Sequence, residues 1–166
     1  MTTESKNHKR TTSLGDLGEL LALKALVDNG FERIVNLNDD KRNHQFADIY
    51  AEKNNKAIVI SVKTRNKYQK KKDTDEKLKL NENYNLLYEN GSRKIEYVKQ
   101  KYNAEPYWMA IQLDRYTFSI FIGSVEELNG KKSISMKKCE KGVLGKCIVE
   151  NQRHYFDYSY FGNQKE

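Results

Sequence analysis

The chain has one proline, two cysteines and no apolar run near the roughly 20 residues needed to cross a bilayer. Its first ten residues, MTTESKNHKR, lack the apolar stretch of a secretion signal, so export and membrane insertion are not expected and the cytoplasm is the expected compartment. Cys139 and Cys147 are eight positions apart, with no histidine beside them and no second cysteine pair. That spacing suggests neither a zinc cluster nor a disulfide framework. His8, His44 and His154 have no partner at ligand spacing, and Ser61 has no histidine to activate it as a nucleophile. A length of 166 residues suits one domain. The expected organisation is a polar tail over 1–12, a domain over 13–161 with a charged insertion at about 66–92, and a short tail over 162–166.

What the chain has in quantity is charge, unevenly spread. Lys and Arg number 30 against 23 Asp and Glu, a net +7, yet residues 16–52 carry eight acids and four bases. Positive charge is concentrated at residues 63–79, with eight bases against three acids, and at 131–146, with six bases against one. Such tracts attract polyanions through counterion release, which makes nucleic acid the leading partner class. A plain solvated surface is the competing reading. Tyr68, Tyr84 and Tyr88 lie in or just beyond the first tract, where aromatic rings either stack on bases or simply pack.

Ser13 and Asp16 fit a helix-capping pair, and Leu14 to Asp28 keep helical character until Asn29-Gly30 stops them. Strands are expected near 33–37, at 46–52 and at 57–65, with Asn54-Asn55 forming the turn between the last two. Residues 66–92 show little periodicity and read as a mobile insertion with some local helix. A second helix is expected over Arg93–Tyr102, then strands at 107–113 and 116–122 that turn back at Asp114-Arg115. The aromatic run 155–161 reads as a last strand or a docking tail.

With Asn54-Asn55 as the turn, Ile49 faces Ile60 and Ala51 faces Ile58, making one face apolar. On the other face Asp48 falls opposite Ser61, with Lys63 one diagonal step away. On the first helix, Glu19 falls on the broad apolar arc between Leu26 and Leu23. A carboxylate aimed at a core is costly unless a cation, a metal or hydrogen-bond donors meet it. Taken singly, Asp48 with Lys63 also reads as a cross-strand ion pair, and Glu19 as a carboxylate that caps a loop or bonds a backbone amide.

An acid on the first helix, then Asp48, then Ser61-Val62-Lys63 on successive strands resembles the PD-(D/E)xK nuclease superfamily, particularly its restriction-endonuclease-like and Holliday-junction-resolvase-like members. The resemblance covers about residues 13–65. It implies an α/β fold with an αβββαβ core, a mixed central sheet flanked by helices, and metal-dependent hydrolysis of DNA phosphodiester bonds. It also implies Mg²⁺ or Mn²⁺ as cofactor and, by analogy, a homodimer. In this pattern Glu19, Asp48 and Lys63 take the catalytic positions, with Asp48, Glu19 and the Val62 backbone carbonyl holding the metal. Ser61 stands where the family has Glu, Asp or Gln, and a neutral hydroxyl is a poor ligand beside a carboxylate. Arg65, Lys67, Lys70, Lys71 and Lys72 are the expected contacts to nucleic acid. Two alternatives stay open: a nuclease-fold binding module with weakened or lost catalysis, and a partner-binding protein without nuclease activity.

Overall fold

A computed structural model describes the backbone of residues 3–38, 46–71, 74–86 and 91–153, and side chains within these segments except at 3–13, 71–77 and 91–93. Helix α1 (Thr3–Asp28) is followed by strands β1 (Glu32–Asn36), β2 (Ile49–Lys53) and β3 (Lys56–Asn66). Strands β4 (Tyr68–Lys71), β5 (Thr74–Leu80) and β6 (Asn83–Asn85) come next, then helix α2 (Gly91–Tyr102) and strands β7 (Glu105–Leu113) and β8 (Thr117–Ser124). The described chain ends with β9 (Ser133–Ser135), helix α3 (Met136–Glu140) and β10 (Lys146–Arg153). Among the described residues, no helix is long and apolar enough to cross a membrane.

The central sheet has six strands in the order β1-β2-β3-β7-β8-β10. Only the β3–β7 pair is parallel; the others are antiparallel, so the sheet is mixed. With β4–β6 set aside as an insertion, α1, β1, β2, β3, α2 and β7 follow the expected αβββαβ order. The β2–β3 hairpin has the expected register, Ile49 opposite Ile60 and Ala51 opposite Ile58. Asn54 and Asn55 both take positive φ, 53° and 61°, as a two-residue turn of this kind requires.

Helix α1 begins well before the Ser13–Asp16 pair, which therefore lies inside it and caps nothing. Residues 3–12 hold no glycine or proline, so a helix anchored further on propagates back through them. Its other end stops as expected: the Asn29 side chain donates to the Ala25 carbonyl at 2.7 Å, and Gly30 takes φ 80°.

Among the described residues of 66–92, a β4–β5 hairpin and the short strand β6 stand in place of the expected loop, and the first residues of α2 close the segment. Lysines between Tyr68, Leu78 and Leu80 dilute the two-residue period that marks a strand. Strand β6 pairs with β9, almost 50 residues away, a partnership no local pattern reveals. The second basic tract builds β9 and α3, and β10 forms an edge strand on β8 that the sequence pattern did not announce. The aromatic run 155–161 lies outside the described residues.

Each face of the sheet has its own core. Ala22, Ala25 and Leu26 of α1 pack on Ile49, Ile60 and Met109, while Val98 of α2 packs with Val59, Trp108 and Phe121 on the other face. Leu26 is fully buried, a burial that contributes roughly 1.5–3 kcal/mol. Alternation along β3 follows from this division: Ile58, Ile60 and Val62 face α1, and Val59 faces α2. Ser61 and Lys63 share the parity of Val59.

Candidate functional site

The site lies where β2 stops and β3 runs on. Strand β2 has five residues and β3 has 11. Ile49–Ile60 is the pair nearest this end of β2; past it, residues 61–66 of β3 pair with β7. The register departs at this point. The Asp48 amide donates to the Ile60 carbonyl at 2.8 Å, although Ile60 is already the partner of Ile49. Two residues therefore address one, the arrangement of a β-bulge, and Asp48 is not opposite Ser61 as a continuous register requires.

The displaced Asp48 is held on every side described. Its carbonyl accepts from the Leu37 amide at 2.9 Å, and its carboxylate Oδ2 accepts from the Val62 amide at 2.7 Å. The side chain thus takes a place on the edge of β3 that a neighbouring strand would otherwise fill. In an extended strand a residue's carbonyl leaves on the same edge as its N–H, so the Val62 carbonyl points to this edge as well.

Glu19 arrives from α1, one residue after Gly18. A Cβ at Gly18 would lie 1.7 Å from Thr64 Oγ1, so only glycine lets the helix approach β3 this closely. The Asn38 side-chain amide joins the two acids: its Nδ2 donates to Glu19 Oε1 at 2.8 Å and to Asp48 Oδ1 at 3.0 Å. Glu19 and Asp48, 29 positions apart in the chain, are brought together as expected. Partial burial raises the Glu19 pKa above its ordinary 4.5, and the charge of Asp48 adds to the rise. The Asn38 hydrogen bond opposes it, Asp16 raises it slightly and an Asn36 hydrogen bond lowers it again. Asn36 also steadies the bridging residue, since its Oδ1 accepts from the Asn38 backbone amide at 3.0 Å.

Lys63 follows Val62 directly, is half-buried and pairs with Ala110 of β7. Ser61 is 2% exposed, so its hydroxyl sits in the sheet and not on an open surface. The Arg65 guanidinium donates to the Thr64 carbonyl at 2.7 Å. Lys67 fastens the β4–β5 hairpin to this end of the sheet: its amide donates to the Leu113 carbonyl at 2.7 Å, and its carbonyl accepts from Asn81 at 2.8 Å. The Lys67 ammonium lies 5.5 Å from the Tyr68 ring centre. Lys70 pairs with Leu78 across the hairpin, and the side chains of Lys71 and Lys72 lie outside those described. Tyr68 is 43% exposed, whereas Tyr84 is buried in the core and is removed from any stacking role; Tyr88 lies outside the described residues.

Sequence reasoning missed Asn36 and Asn38, the amides that receive Glu19. The one available signal was the demand that a core-directed carboxylate find donors, which did not say where they came from. Among the described residues, no group of three or more His, Cys, Asp and Glu is placed to hold a metal. The donors present are the two carboxylates and the Val62 carbonyl, an all-oxygen set suited to a hard cation such as Mg²⁺ or Mn²⁺.

No protein-family model and no curated protein matches the chain. Among solved structures, it is similar to Hjc, a Holliday junction resolvase from the archaeal hyperthermophile Archaeoglobus fulgidus. The TM-score is 0.49 and the identity 17%, over 74% of this chain and 84% of that one.

Proposed function

We propose that the protein is a metal-dependent endonuclease that hydrolyses DNA phosphodiester bonds, with its centre at Glu19, Asp48 and Lys63. The observation that carries this reading is the single amide nitrogen joining Glu19 to Asp48 at the edge of β3. Two carboxylates gathered around one polarised N–H₂ group form an anionic seat of the kind a divalent cation takes. Asp48 and Glu19 would hold Mg²⁺ or Mn²⁺ there, with the Val62 carbonyl as a neutral oxygen, and the ion would supply activation of water and neutralisation of charge developing on phosphate. Ser61 adds at best a weak hydroxyl, so the site has one anionic ligand fewer than the family pattern and a lower metal affinity.

The chain's own groups do the rest. Asp48, fixed by Val62 and Asn38, sets the position of the centre. In this reading the Lys63 ammonium, one residue after Val62, orients water or stabilises the phosphate in the transition state. Arg65, Lys67, Lys70, Lys71 and Lys72, next along the sequence, neutralise backbone phosphates in this reading. A homodimer supplies two centres for cutting both strands of a duplex.

The test is plasmid nicking with Mg²⁺ and with Mn²⁺. Activity that disappears in Asp48→Asn and Lys63→Ala supports the reading; activity unchanged in both variants rejects it. The buried, neutral Ser61 favours one second reading, a nuclease-fold module that binds nucleic acid without cutting it. Salt-sensitive DNA binding with no nicking under either metal selects that reading.

A further inference from the structure

Asn38 spends both hydrogens of its side-chain amide on the two carboxylates. Its orientation is set by charge: the reverse orientation would put the amide oxygen against two anions. The same planar group carries an oxygen, and a half-turn about the Cβ–Cγ bond exchanges it with the nitrogen. The backbone there need not move, because Asn36 holds the Asn38 amide and Asp48 holds the amide of Leu37. The site that Asn38 bridges lacks an anionic ligand at Ser61, and an amide carbonyl is an ordinary oxygen ligand for hard cations.

We infer that Asn38 is an exchangeable ligand, donating to Glu19 and Asp48 when no cation is bound and turning its Oδ1 to the cation when one arrives. The inference rests on the metal-binding reading of the site and adds a ligand to it. Without metal, the amide hydrogens stand in for the positive charge and keep the acids from separating. With metal, the amide oxygen supplies a third side-chain ligand from the end of β1, in place of the one β3 lacks at Ser61. The exchange gives up two charge-assisted hydrogen bonds, so it proceeds only when a cation replaces them.

The experiment uses the full chain, ¹⁵N-labelled and titrated with Mg²⁺, and follows the side-chain amide signals of Asn38. The expected result is a saturable shift of both protons toward the positions of a water-exposed amide, with faster exchange. Signals that stay put while metal saturates the site overturn the inference. Calorimetry with Mn²⁺ gives a second measure. Asn38→Ala should bind at least about tenfold more weakly than the natural chain, and Asn38→Asp about tenfold more tightly. Equal or tighter binding by Asn38→Ala makes the amide a mere placeholder or brace and overturns the inference. Asp48→Asn separates the two levels: if it binds Mn²⁺ like the natural chain, or if the natural chain shows no saturable binding, the metal site itself fails and the ligand role fails with it. Should Asn38→Ala not fold, the titration of the natural chain still decides.

Discussion

Replacing Glu19 by glutamine removes one of two neighbouring negative charges while keeping the length and an acceptor oxygen for Asn38. The two carboxylate oxygens that share Asn38 Nδ2 at 2.8 and 3.0 Å lie about 5 Å apart for a trigonal nitrogen. At the effective dielectric of about 20 typical near a protein surface their repulsion has a ceiling of about 3 kcal/mol, which solvent screening of a partly exposed pair lowers to about 1 kcal/mol. Loss of charge from the Asn38 hydrogen bond costs about the same. Burial remains, and it is the largest cause of the raised Glu19 pKa, so the balance favours the neutral side chain. Glu19→Gln should therefore stabilise the metal-free protein by about 0.5 kcal/mol, near 1–2 °C in Tm. The pH dependence has a definite sign. Because the folded-state pKa of Glu19 is raised, the folded chain binds the proton more tightly than the unfolded chain, and stability falls as pH rises from 4.5 through the raised value. The advantage of the variant should be full at pH 8 and vanish on acidification below 4.5, where Glu19 is protonated in both states. Saturating Mn²⁺ should reverse the order, since at a hundredfold excess over Kd the natural chain gains about 2.7 kcal/mol. Thermal unfolding followed by circular dichroism, with chelator and with Mn²⁺ at each pH, reads all of this. A variant less stable than the natural chain in chelator at pH 8, or one with an equal Mn²⁺ gain, would refute the reasoning.

Gly18→Ala should cost at least about 1–3 kcal/mol, because the new methyl collides with Thr64, and adding Thr64→Ala should recover part of the loss. Purely additive melting temperatures would show that the two sites do not meet. Ser61→Glu places a carboxylate at a position 2% exposed and should cost on the order of 2 kcal/mol in chelator, yet raise Mn²⁺ affinity by calorimetry. Unchanged affinity would mean that position 61 does not face the cation. If Lys67 and Lys70 each contact a phosphate, changing both to alanine should flatten the slope of log K for DNA against log salt by about 1.8. A slope equal to that of the natural chain would remove the hairpin from the nucleic-acid surface.

Elements built from local repetition were legible in the residues. The alternation about Asn54-Asn55 reproduced the β2–β3 pairing as far as Ile49–Ile60, and Asn29-Gly30 marked the end of α1. Glu19 on an apolar arc announced a half-buried acid in need of a partner. The hairpin over 68–80 escaped because lysines interrupt its apolar positions, and α1 starts ahead of the expected cap because no glycine or proline in 3–12 stops a helix anchored further on from propagating back.

The order of letters alone determined which acids were out of place and which strands could pair as neighbours, since side-chain periodicity acts over a few residues. Only the tertiary structure decided that Asp48 slips to address Ile60, that Ser61 is sealed in the sheet, and that Asn38 stands between Glu19 and Asp48. The reason is physical: a helix, the end of a strand and a bulge converge there only after Gly18 lets α1 close onto β3, and no short-range pattern records that approach.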